Sequence, residues 1–168
     1  MKKFLLLAVA LFTGHLCMAD KQQKADAETA KFRYDIEYAR TAGDGMCQVK
    51  VWSYSKKTRI ASEQCRKNAV HGVIFKGYAT GDGSSTSQRP LVKEAAALQQ
   101  HAEFFEEFFS DGGAYRQFVS AVTDGSMEVK RIGERKQYKV GVVVTVSKDQ
   151  LRKYLEENGV IRSLGSGF

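Results

Sequence analysis

Apolar and polar residues alternate most regularly between Gln137 and Val146, where Tyr138, Val140, Val142, Val144 and Val146 fall at every second position. A period of two is the signature of a strand, and Val143 on the opposite face predicts a central strand covered in part on both sides. The alternation recurs where Phe32, Tyr34, Ile36 and Tyr38 are interleaved with Arg33, Asp35 and Glu37. It recurs again over Met46 to Tyr54, with Cys47, Val49 and Val51 on one face and Gln48, Lys50, Trp52 and Tyr54 on the other. Thr41 to Gly45 has turn composition, so these two strands are expected to pair antiparallel. Met127 to Ile132, followed by a turn over Gly133 to Lys136, forms a second pair with the central strand.

Elsewhere the period lengthens to three or four. Ile60, Ala61, Cys65, Ala69 and Val73 predict a helix over Thr58 to Lys76. Leu91, Ala95, Leu98, Ala102, Phe105 and Phe109 predict one long helical stripe, widened by Phe104 and Phe108. Such large aromatic side chains read as a wedge in the core, because burying each contributes about 2–3 kcal/mol. Tyr115, Phe118, Val119 and Val122 suggest a short helix. Ser147, with Gln150 three positions on, resembles a capping box opening a last helix that Asn158-Gly159 would close. The expected fold class is α+β, two strand pairs making a mainly antiparallel sheet packed by three to four helices.

The ends and the charge change this picture in two ways. Lys2 and Lys3 precede the apolar run Phe4 to Phe12, and Cys17-Met18-Ala19 ends in small residues, so residues 1–19 read as a signal peptide. Residues 20–31 are polar and Ala-rich, a leader to a single domain over 32–164. Export to the periplasm or envelope is expected, with membrane attachment only if Cys17 is acylated; Leu16 is a poor residue to precede an acylated cysteine. Cys47 and Cys65 would remain as an even pair in an oxidising compartment, which fits either a disulfide or two small core residues. The net charge is +7, and removal of Lys2 and Lys3 leaves +5. Acids are interspersed and no basic block occurs, so the charge reads as solvated surface and no nucleic-acid partner is expected.

Candidate chemistry is sparse. Gly77 to Pro90, GYATGDGSSTSQRP, has the composition of a functional loop, but its glycine spacing lacks the Lys-Ser/Thr ending of a phosphate loop. Its Tyr78, Asp82 and Arg89, with Trp52 and Tyr54 on the neighbouring strand face, are the candidate binding residues. His101, with Glu94 and Glu103 nearby, reads as a solvated face, and no metal or other cofactor is expected. Cys65 and His71 lie six residues apart on one helix, about 240° around it, and do not form a nucleophile–base pair within that helix.

Two segments resemble a known family. RIASEQCRKNAVHGVIFKG, with small residues at Ala61, Cys65 and Ala69, is similar to the first helix of the N-terminal domain of flagellar assembly protein T and related small envelope lipoproteins. YKVGVVVTVSKDQLRKYLEENG resembles their closing strand and helix. The resemblance implies a small α+β domain at the bacterial envelope that works by binding and assembly and not by catalysis. The expected function is therefore a non-enzymatic envelope protein whose partner is another envelope protein or a second copy of itself. The rival expectation is a small-molecule or glycan binder, or a hydrolase, with a cleft under the 77–90 loop. Intact mass of the protein purified from its own envelope should show a chain beginning at Asp20; a lipid-modified chain beginning at Cys17 would replace that reading with a membrane anchor.

Overall fold

The computed structural model describes residues 32–43, 45–56, 58–79, 87–93, 96–121, 127–133 and 137–163. The expected signal segment with Cys17, the expected leader and Asp82 lie outside the described residues. In chain order the elements are strands β1 (Tyr34–Thr41) and β2 (Cys47–Ser55), helix α1 (Thr58–Phe75), short helices α2 (Ala97–Gln100) and α3 (Ala102–Phe108), and a 3-10 turn over Ala114–Phe118. Strands β3 (Val119–Ala121), β4 (Glu128–Ile132) and β5 (Gln137–Val146) and helix α4 (Lys148–Glu157) follow. The fold is α+β, as the periodicity predicts.

All strand pairings are antiparallel, and the sheet runs β1-β2-β5-β3, with β4 also paired to β5. β5 is the central strand. One edge matches β2 from Cys47↔Val146 to Ser55↔Tyr138, while the other takes β3 at its C-terminal end and β4 at its N-terminal end. Register puts Val49 beside Val144 and Ser53 beside Val140, so one face of the sheet is apolar. Helix α1 packs across that face against β1, β2, β3 and β5. Cys65, Ala69, Val70, Val73, Val49, Val51, Val140, Val144 and Val146 are fully buried there. A second layer of core is aromatic: Phe105, Phe108, Phe109, Tyr115 and Phe118 are buried, with ring centroids 4.9 Å apart for Phe75–Phe105 and for Phe108–Phe109.

Three expectations need correction. The stripe from Leu91 does not make one long helix. The amides of Leu91 and Val92 donate instead to the carbonyls of Val73 and Ile74, at 3.2 and 2.9 Å, and so satisfy the last turn of α1. Among the described residues, 91–93 are not helical, a short helix spans Ala97–Gln100 and breaks at His101, and Leu98 is 44% exposed. The short helix expected around Tyr115 is a 3-10 turn that ends at Phe118, because Val119 is taken into the sheet opposite Val146. Ser147 does occupy the N-cap of α4, but its side chain makes no capping bond. The first turn is satisfied from elsewhere in the chain, with the Asp149 amide donating to the Gly45 carbonyl at 3.0 Å.

The helix ends follow the expected chemistry. Gly159 adopts φ +69° beyond α4, and the Val160 amide donates back to the Leu155 carbonyl at 2.9 Å. Gly77 closes α1 with the same φ, and a β-carbon there would run into the Gln88 carbonyl. Replacement of Gly77 by Ala therefore combines backbone strain with a backbone clash and should cost about 1–3 kcal/mol. Urea midpoints of the two proteins, compared at equal m-value, measure that loss.

Candidate functional site

The sheet face opposite α1 holds two of the sequence-predicted binding residues. Trp52 lies across from Gly141 in the β2–β5 register, and a β-carbon on Gly141 would stand 2.6 Å from the indole ring. The missing side chain thus lets the indole lie close over β5. The ammonium groups of Lys50, Lys130 and Lys139 sit 4.5, 4.8 and 5.1 Å from the ring centroid. Lys50 is ion-paired to Glu128, and Lys139 to Asp35 at 3.0 Å. Tyr54 donates to Asp35 at 2.8 Å. The hydrogen bonds from Lys139 and then Tyr54 hold the Asp35 carboxyl below its usual range. Trp52 is only 6% exposed, so this cluster ties three strands together and leaves little indole for a partner.

Tyr78 and Arg89 lie elsewhere. Tyr78 pairs its backbone with Gln88, at 3.0 and 2.9 Å, closing the base of the 77–90 loop, and its ring stacks on Tyr38 at 6.3 Å. Burial, followed by its hydrogen bond with Cys47, pushes the phenol pKa upward. Arg89 is exposed and lines a cleft of about 550 Å³. The five proposed binding residues do not converge: the two on the outer sheet face are one group, Tyr78 is structural, Arg89 belongs to the cleft, and Asp82 is outside the described residues.

Apart from Arg89, the lining of this cleft was not visible in the sequence. Its walls are the 88–93 segment, Arg152 of α4 and residues 159–162, with Leu91, Val92, Ala97 and Val160 as a mostly buried apolar floor. Arg89, Lys93, Arg152 and Arg162 line it, and among the described residues no Asp or Glu does. Arg152 is held by Glu156 at 3.0 Å, the i,i+4 pair along α4. A second cavity, about 510 Å³, opens beside Phe104, Phe108 and Tyr154 and is rimmed by the polar 110–114 turn.

The two cysteines are free buried thiols, which corrects the disulfide alternative. The Cys65 thiol lies within 3.6 Å of the Val51 carbonyl, 3.3 Å of the Ser53 hydroxyl and 3.5 Å of the Val140 carbonyl. That places it beside the middle of β2, four to six residues along from Cys47. At about 3.3 Å per residue the separation is of order 13–20 Å, beyond the roughly 7 Å that a bridge allows between α-carbons. Burial pushes Cys65 up to about 11 and also raises Cys47, so both thiols are protonated near neutral pH.

His71 Nδ1 and the Tyr34 hydroxyl share a 2.7 Å hydrogen bond, and the imidazole ring packs on Phe75 and Phe109. Burial first, and then the charge of Lys76, lowers its pKa to about 3. Among the described residues, no group of three or more His, Cys, Asp or Glu side chains is placed to hold a metal ion. No family model matches this chain, and no curated protein or solved structure matches it.

The His71 environment sets a pH dependence. Between about pH 6.5 and pH 3 the unfolded chain binds a proton at this imidazole and the folded chain does not, so folding stability falls as the pH is lowered through that window. The slope is at most about 1.4 kcal/mol per pH unit. Urea unfolding at pH 7 and pH 4 should show a larger loss in the native chain than in His71→Gln; equal losses would remove the imidazole as the cause.

Proposed function

We propose that the protein acts in the cell envelope without catalysis, by assembling with a second copy of itself through the free edge of its sheet. The observation that carries this reading is β4. Among the described residues it pairs with β5 alone, Glu128 to Arg131 are all exposed, and Met127 and Val129 are 45% and 43% exposed. An edge strand with uncovered apolar side chains is a template for another strand. The export signal and the resemblance to envelope assembly proteins support the compartment.

The residues of β4 favour one pairing. Among antiparallel registers that keep both helical layers on the same face, centring on Lys130 would set two lysines directly opposite each other, which is unfavourable. Centring on Val129 sets Val129 against its own copy and places Glu128 opposite Lys130 twice. Glu128 can keep its bond from Lys50 while accepting another, since a carboxylate has several lone pairs. A two-fold axis through Val129 makes the contact self-complementary and closed.

Analytical ultracentrifugation tests this arrangement by charge exchange. Glu128→Lys or Lys130→Glu alone should weaken the dimer about tenfold or more. The double exchange should dimerise more tightly than either single one, because each pair between the two copies is then reversed but intact while the loss of the Lys50–Glu128 pair is shared with Glu128→Lys. A protein that stays monomeric throughout the accessible concentration range, or a double exchange no better than the single ones, would overturn the proposal.

A further inference from the structure

We propose that the cleft beside Arg89 binds a phosphoryl-bearing small molecule or headgroup, with the charged group held by the arginines and lysine and the remainder lying on the apolar floor. This inference is independent of assembly through β4. Its basis is an imbalance of charge inside a built cavity. Four cationic side chains line about 550 Å³, and only Arg152 has a carboxylate partner, Glu156. Arg89, Lys93 and Arg162 make no ion pair among the described residues.

Three cations without acidic partners match a compact ligand carrying about two to three negative charges. A phosphate monoester carries about −1.5 to −2 near neutral pH, and a diphosphoryl group more, whereas a single carboxylate supplies only one. Arginine forks bond phosphate oxygens in pairs, and a lysine adds a point charge. The volume lies within the range of about 300–1,000 Å³ usual for small-molecule sites, and the mixture of apolar floor and a few polar groups is their usual composition.

The walls are also fixed before any ligand arrives. Arg89 stands between the Tyr78–Gln88 backbone pair and the Leu91 and Val92 amides tied to the end of α1. Arg162 follows Val160, whose amide is tied to Leu155. The backbone carrying the cationic side chains therefore needs little ordering on binding, which favours affinity.

The test is a titration of the full protein with sodium pyrophosphate at constant ionic strength, followed by backbone amide NMR shifts. Saturable shifts should centre on Arg89, Lys93, Gly159 and Arg162. The Arg89→Gln/Arg162→Gln variant, shown folded by its dispersed spectrum, should bind about tenfold or more weakly. Lys153→Gln, on an exposed part of α4, should bind as the native chain does. A second arm measures co-sedimentation with phosphatidylglycerol vesicles, using phosphatidylcholine vesicles as the control. Vesicle binding lost in the double variant identifies a lipid headgroup as the phosphate source, and pyrophosphate binding without vesicle binding identifies a soluble ester. Non-saturating shifts spread over the basic surface with no variant-sensitive vesicle binding, or pyrophosphate affinity unchanged in the double variant, would overturn the site.

Discussion

The structure depends on β5 being hydrogen-bonded along both edges. β5 cannot slip by one residue without turning Val140, Val144 and Val146 to the outer face and Lys139 into the core. With that register fixed, α1 has a single apolar face to cover. Cys65 and Asn68 then come to the same point on β2, where Asn68 donates to the Ser53 hydroxyl at 2.7 Å and the Cys65 thiol lies 3.3 Å from it. Polar atoms at the centre of an otherwise aliphatic contact specify how the helix sits, since other placements would leave Ser53 buried without its Asn68 partner.

The outer face follows from the same register, by different chemistry. Gly141 is opposite Trp52 only in this alignment, and the lysines that cover the indole come from β2, β4 and β5. Their ammonium groups stand over the ring, and those of Lys50 and Lys139 are also paired with Glu128 and Asp35. An aromatic residue that looked like a recognition site thus has most of its surface committed to joining strands. The exposed apolar surface lies one strand further out, at Met127 and Val129 on the edge.

Strands β1, β2, β4 and β5 and the long helix α1 were legible in the sequence because each has an unbroken period and terminates on recognisable residues, whereas the three residues of β3 are too few to show a period and were read as part of a short helix. The segment from Leu91 was not legible either. Its apolar spacing is compatible with a helix, but Pro90 precedes it and the amides of Leu91 and Val92 are required by the C-terminal turn of α1, a tertiary demand that periodicity does not register. The missing bond of the expected capping box has a similar origin, since the Gly45 carbonyl, distant in sequence, supplies an acceptor at the start of α4. Of the candidate site, Arg89 could be picked from its loop, whereas Lys93, Arg152 and Arg162 are spread over the chain and only folding gathers them around one cleft. The pairing of Cys47 with Cys65 failed for a geometric reason: two residues can share a buried face and still lie many ångströms apart along a strand.

The cleft and the interrupted helix are consequences of one event. Leu91 and Val92 donate to the end of α1 and are buried against it, with Arg89 and Lys93 on either side of the buried pair. Gly159 turns the chain beyond α4 in the same region and brings Val160 to the floor and Arg162 to the wall. The basic lining thus stands on backbone that two helix ends already require, so replacing the charged side chains can alter recognition without removing the hydrogen bonds that shape the cavity.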